Sequence, residues 1–151
     1  MAIITQALTS SFKAELLQGI HDFTTDQFYL ALYNNTANLA SDTLAYTTVG
    51  EVVGTGYTAG GLLLTNLGIG AGNGNAYTSF ADAVWVGPVK FQVAGGLIYN
   101  ASKGDRSVDV LNFGMQYDVN ILTPFTVKFP PNTSTTAPII LGGGIYGTGV
   151  N

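Results

Sequence analysis

The sequence predicts an all-β fold, a β-sandwich or jelly roll of about seven to nine short strands preceded by one N-terminal amphipathic helix. Three observations lead there. The spacing of apolar residues changes from four to two near Asp26. Beyond that point, short runs rich in Val, Ile, Phe and Tyr recur along the chain. Between them lie clusters of Gly, Asn and Thr, the residues of tight turns; 20 of the 151 residues are Gly.

The helix is expected over residues 9–21, after an N-terminal arm of residues 1–8. Leu8, Phe12, Leu16 and Ile20 recur every four residues, and Lys13, Glu15 and Gln18 fall off that stripe. Ser10 or Ser11 is placed to cap its start, while Gly19 and the group Asp22, Thr24, Thr25 and Asp26 supply the chemistry of its end. In the first strand, Phe28, Leu30 and Leu32 alternate with Tyr29, Ala31 and Tyr33, so its two faces differ. Further strands are expected at 47–53, 62–67, 76–80, 83–86, 91–99, 107–113, 125–129 and 139–141. Turns are expected at 54–56, 68–75 and 100–105, and Tyr57-Thr58-Ala59-Gly60-Gly61 reads as a tight corner. Residues 34–45 form a polar loop around Leu39. Residues 142–151 form a Gly-rich tail that holds no single conformation unless it lies along a neighbouring subunit. No repeat or linker divides the chain, so residues 1–151 read as a single β-sandwich domain.

Composition narrows the function. Charged residues make up 9% of the chain, where a soluble domain usually has about 25%. So little charge leaves weak repulsion between copies, which suits a surface that ends up against other subunits. The net charge is −4 and the few basic residues are scattered, so the basic stripe of a nucleic-acid partner is missing. No Cys is present, which removes disulfides and thiolate chemistry. No apolar run approaches the ~20 residues of a spanning helix, and the N-terminus lacks a basic leader pattern; the expectation is a protein folded in the cytoplasm without a membrane partner.

The candidate chemistry is thin. His21-Asp22 is the single adjacent His–carboxylate pair. Catalysis needs a nucleophile and an orienting carboxylate converging in space, and no G-x-S-x-G elbow occurs, so His21 reads as a helix-end residue. Asp105, Arg106 and Asp109 offer oxygen ligands for a cation, with Ser107 and Asp109 expected on one solvent-exposed strand face. Arg106 is available to pair with a carboxylate, and a solvated turn or an inter-subunit ion pair is the preferred reading there. Asp22 and Asp26 lie in a turn with nothing tying them to a cleft. Gly142-Gly143-Gly144-Ile145-Tyr146-Gly147 matches a dinucleotide-loop pattern only in form, because four residues remain after it and no helix follows. Trp85 and Tyr29, Tyr33, Tyr46, Tyr57, Tyr77 and Tyr99 read as core or half-buried sheet residues. No catalytic, cofactor-binding or metal-binding residue is assigned, and the chain reads as a non-enzyme without cofactor.

Several runs carry a resemblance. They are Ser11-Phe12-Lys13-Ala14-Glu15-Leu16-Leu17-Gln18-Gly19-Ile20-His21, Asp26 through Tyr33, Asp42 through Thr48, Gly96 through Lys103 and Phe125 through Pro130. The strongest is Gly50-Glu51-Val52-Val53-Gly54-Thr55-Gly56-Tyr57-Thr58-Ala59-Gly60-Gly61. Together these runs resemble a family of small structural proteins of tailed-bacteriophage virions; residues 68–75 and the tail after Leu141 depart from it. The resemblance implies a non-catalytic virion component. Its first form is a head decoration, or cement, protein that binds the major capsid protein and copies of itself on the capsid exterior. The alternatives are a tail, adaptor or fibre-base component, and, from another class, a carbohydrate- or receptor-binding β-sandwich. The arm 1–8, the loop 34–45 and the tail 142–151 are the expected interface elements.

Overall fold

The computed structural model describes residues 2–142. In chain order the elements are β1 (Ala7–Leu8), α1 (Ser10–Leu17), β2 (Phe28–Tyr33), β3 (Leu62–Leu63), β4 (Asn66–Gly72) and β5 (Asn75–Phe80). Then come β6 (Ala83–Trp85), β7 (Val89–Asn100), a 3-10 turn (Ala101–Lys103), β8 (Arg106–Ile121), β9 (Phe125–Val127) and β10 (Ile139–Gly142). The fold is all-β with one N-terminal helix. The ten strands among the described residues exceed the expected number because β1 and most of β4 form where an arm and a turn were expected, while residues 47–53 supply none.

Every pairing between these strands is antiparallel. A five-stranded sheet has the order β1-β8-β7-β2-β3, a three-stranded sheet β10-β5-β4, and a two-stranded sheet β6-β9. The main core lies between the large sheet and the two small ones. Phe28, Leu30, Leu32 and Ile98 meet Phe80 and Ile139 from the three-stranded sheet, Trp85 and Val127 from the two-stranded one, and Phe12 from α1. A second cluster covers the opposite face of the large sheet. There Ala31, Tyr33, Leu97, Tyr99 and Val110 pack under Ala37 and Leu39. A strand buried on both faces loses simple polar alternation, which is why β2 reads Phe-Tyr-Leu-Ala-Leu-Tyr.

Several boundaries differ from expectation. The helix runs over Ser10–Leu17 rather than 9–21. Thr9, not Ser10 or Ser11, is its cap, its hydroxyl accepting from the Phe12 N–H. At the other end Gly19 adopts φ +70 and donates to Leu16, while Ile20 donates to Glu15. This glycine-dependent double bond closes the helix before His21. Residues 47–53 form no strand; Gly50 at φ +77 interrupts them, and only Glu51 bridges to Tyr33. Residues 68–75, expected as a turn, are mostly β4, which turns into β5 at Asn73-Gly74 with φ 52 and 77. Two successive positive φ values are what a tight hairpin of this twist requires. β8 continues past Phe113 to Ile121, with a register irregularity against β7 between Val93 and Gly95 and a positive φ at Gly114.

Two expected interface elements are used by the chain itself. In the arm, β1 pairs with β8 and Ile4 bridges Leu39. The loop 34–45 turns Ala37 and Leu39 onto the large sheet. In the tail 142–151, Gly142 ends β10, and residues 143–151 lie outside the described residues, as does the expected Gly-rich match that begins there.

Candidate functional site

At the end of α1 a buried polar network brings together residues distant in sequence. Glu15 sits one turn from Phe12 on the inward side of the helix and is buried with it. Its carboxylate accepts from Arg106 of β8 at 2.7 Å and from His21 Nε2 at 2.6 Å. The other ring nitrogen of His21 accepts from the Asn100 amide at 3.0 Å. The same amide donates to Asp26 at 2.8 Å, which fixes its orientation. The imidazole ring packs on Phe12, with centroids 5.0 Å apart. Both nitrogens of His21 are thus engaged and its ring is buried, leaving no free position to face a substrate. The network ties α1 to β7, β8 and the turn before β2.

The two aspartates of that turn serve it internally. Asp22 accepts from the Thr24 hydroxyl and amide, and these bonds hold its pKa below the usual value. Asp26 accepts from the Asp22 amide at 2.9 Å. The turn reading of the pair is the one the geometry supports.

A second buried carboxylate anchors the loop 50–61. Glu51 accepts from the hydroxyls of Tyr57 (2.6 Å) and Tyr46 (2.7 Å) and from the Gly60 amide (2.6 Å). Burial and the bond to Glu51 both push the two phenols' pKa values up, so they stay protonated donors. Tyr57 also accepts from the Leu32 amide, and Tyr99 donates to the Gly60 carbonyl at 2.7 Å. The corner then passes so close to β2 that a Cβ on Gly61 would stand 1.8 Å from the Leu30 carbonyl oxygen. These hydrogen bonds hold the corner against β2 and β7.

Asp109 overturns an expectation. Instead of lying on a solvent-exposed face, it is 2% exposed, with Ser107 fully buried nearby. Its register partners are Leu8 and Ile98, and Arg106 turns to Glu15 rather than to either neighbouring aspartate. Burial pushes the Asp109 pKa up to about 7, opposed only by the Val110 amide. Asp105, Arg106 and Asp109 therefore do not converge, and among the described residues no group of three His, Cys, Asp or Glu is placed to hold a metal. Trp85 packs against Tyr57 and Phe125 in the core, unavailable as a stacking platform.

An apolar concavity lies beside the helix network. It is a cleft of about 340 Å³ between the end of α1 and the three-stranded sheet, bounded by Leu16, Phe23, Ile69, Tyr77, Ile139 and Leu141. His21 and Asp22 also line it, the His21 ring itself being buried. No family model, curated protein or solved structure matches this chain. No helix among the described residues is long and apolar enough to cross a membrane.

Sequence reasoning placed Trp85 in the core and Asp22 with Asp26 in a turn. It missed the burial of Glu15 and Asp109. Both had a signal: Glu15 is three residues after Phe12 on a helix, and Asp109 stands between valines in Val108-Asp109-Val110-Leu111. The cleft is assembled from Leu16, Ile69 and Ile139, too far apart in sequence for any local pattern to announce it.

Proposed function

We propose that this protein is a non-enzymatic building block of an assembled particle, and that the particle is a tailed-phage virion. The observation that carries the first half is its surface. Leu17, Val53 and Leu122 are 92%, 91% and 88% exposed, in a chain with only nine acidic and five basic residues. Exposed apolar side chains of this size are surface that subunit contacts can cover. Among the described residues β3, β4 and β10 lie at sheet edges, where a neighbour's backbone can pair. The phage half is supported by the sequence resemblance alone.

Within that reading the favoured role is head decoration. Each copy binds the outer face of the assembled shell, bridging major capsid subunits, and binds free subunits less well. By linkage, a ligand of the assembled state stabilises that state. Many weak contacts acting together give firm attachment. The test is to mix purified protein with expanded empty shells and to locate and count its copies in intact virions. Hundreds of copies on the head support decoration; protein confined to isolated tails in few copies supports a tail or adaptor component. A monomer that turns over a small molecule and never accompanies particles rejects both.

A further inference from the structure

The apolar cleft and the end of the described chain meet at one place. β10 pairs with β5 as far as Gly142 opposite Asn75, and Asn75 is where β5 begins after the Asn73-Gly74 turn. The inner face of this sheet also continues past the core. Ile69 lies across from Thr78 and Leu141 two residues on from Ile139, so all four share one face. Thr78 and Ile139 are buried, whereas Ile69 and Leu141 are 58% and 43% exposed. The cleft is therefore an extension of the core that the described residues leave uncovered.

We propose that residues 143–151 of one copy cover this cleft in a neighbouring copy, with Ile145 and Tyr146 as the apolar contacts. The inference rests on the building-block reading and names one contact through which the blocks join. Residues 143–151 carry no charged side chain and match a cleft that is chiefly apolar. At about 3.3–3.6 Å per residue the nine residues span up to ~30 Å, enough to cross from one subunit to the next. β10 runs from buried Ile139 to exposed Gly142 beside the Asn73-Gly74 turn, so the described chain ends at the rim of the cleft. Gly143-Gly144 gives the crossing freedom to take whatever angle the neighbour requires. Such a contact joins two different surfaces, so copies add head to tail, as rings or open chains.

Two variants test it by complementation. One lacks residues 143–151 and keeps the cleft; the other is Ile69→Glu, which keeps those residues and places a charge in the cleft. Ile69 is exposed, so an unchanged near-ultraviolet signal from Trp85 is the expected fold control. In sedimentation the full chain is expected to self-associate, and each variant alone to associate at least about tenfold more weakly, as burial of two apolar side chains implies. Mixed, the two variants are expected to form a one-to-one complex, because one tail and one open cleft remain. A mixture that stays monomeric overturns the inference, as does a tail-deleted protein that associates like the full chain. In the latter case the building-block reading survives through other contacts. If the full chain neither associates nor joins particles, both readings fall together.

Discussion

At the residue scale the buried carboxylates decide what can be measured. Among the described residues Asp109 has no charged partner, and its pKa rises from 3.8 to about 7 on folding because burial penalises the ionised form. The folded state then holds a proton that the unfolded chain has released. Stability from this group is full below about pH 4, falls as pH rises towards 7, and stays at its lowest level above that. The upper bound of the loss is on the order of 4 kcal/mol, since one pKa unit is worth about 1.4 kcal/mol. Asp109→Asn is expected to abolish that fall. Urea unfolding of both proteins at about pH 4, 6 and 8 checks it: the variant's relative stability must increase with pH, and parallel curves would refute the assignment. Glu51 gives a prediction of another kind. Glu51→Ala strands two half-buried phenols and the Gly60 amide, and is expected to cost about 2 kcal/mol or more, read from the urea midpoint. Glu51→Gln, which keeps the shape and one acceptor, is expected to cost less.

At the element scale α1 is held by contacts rather than by its own propensity, since eight residues make a marginal helix in isolation. Phe12 anchors it in the core, while Glu15 links it to Arg106 and His21. Glu15→Ala leaves the buried His21 ring nitrogen without its hydrogen-bond partner and is expected to destabilise by about 1–3 kcal/mol. Arg106→Ala should cost clearly less, because the guanidinium is nearly half exposed. Thermal melts of the two variants check the order, and equal losses would argue against the buried His21–Glu15 contact as the stronger brace. The same scale shows what the sequence could and could not say. β2 and β7 were legible because their apolar runs are dense. The end of α1 and the β4–β5 hairpin were signalled by Gly19 and by Asn73-Gly74, but both signals were diluted among other turn-forming residues. The length of β8 was hidden, because Asn112 and Gly114 interrupt its pattern where the register against β7 shifts. The cleft had no local pattern at all, since tertiary packing alone joins its walls.

At the scale of the whole molecule the question is which exposed apolar residues belong to contacts with other copies or partners. Val53 and Leu122 lie outside the core, so replacing either by Lys removes little buried surface from the monomer. Each single change is expected to shift folding stability by no more than about 0.5 kcal/mol. If these faces meet other subunits, a lysine there must be desolvated without a partner when the particle forms, which costs far more than the lost apolar contact. Val53→Lys and Leu122→Lys are therefore expected to melt like the parent yet be depleted from particles assembled in a mixture with it. Mass spectrometry of the particle fraction against the soluble fraction gives the ratio directly. A variant taken up in proportion to its supply would clear its face of any role in assembly, whereas a lowered melting temperature would mean that the side chain belongs to the fold after all. Because the two residues are tested separately, the outcome also assigns the contact to one face or to both, which the count of copies in a particle does not reveal.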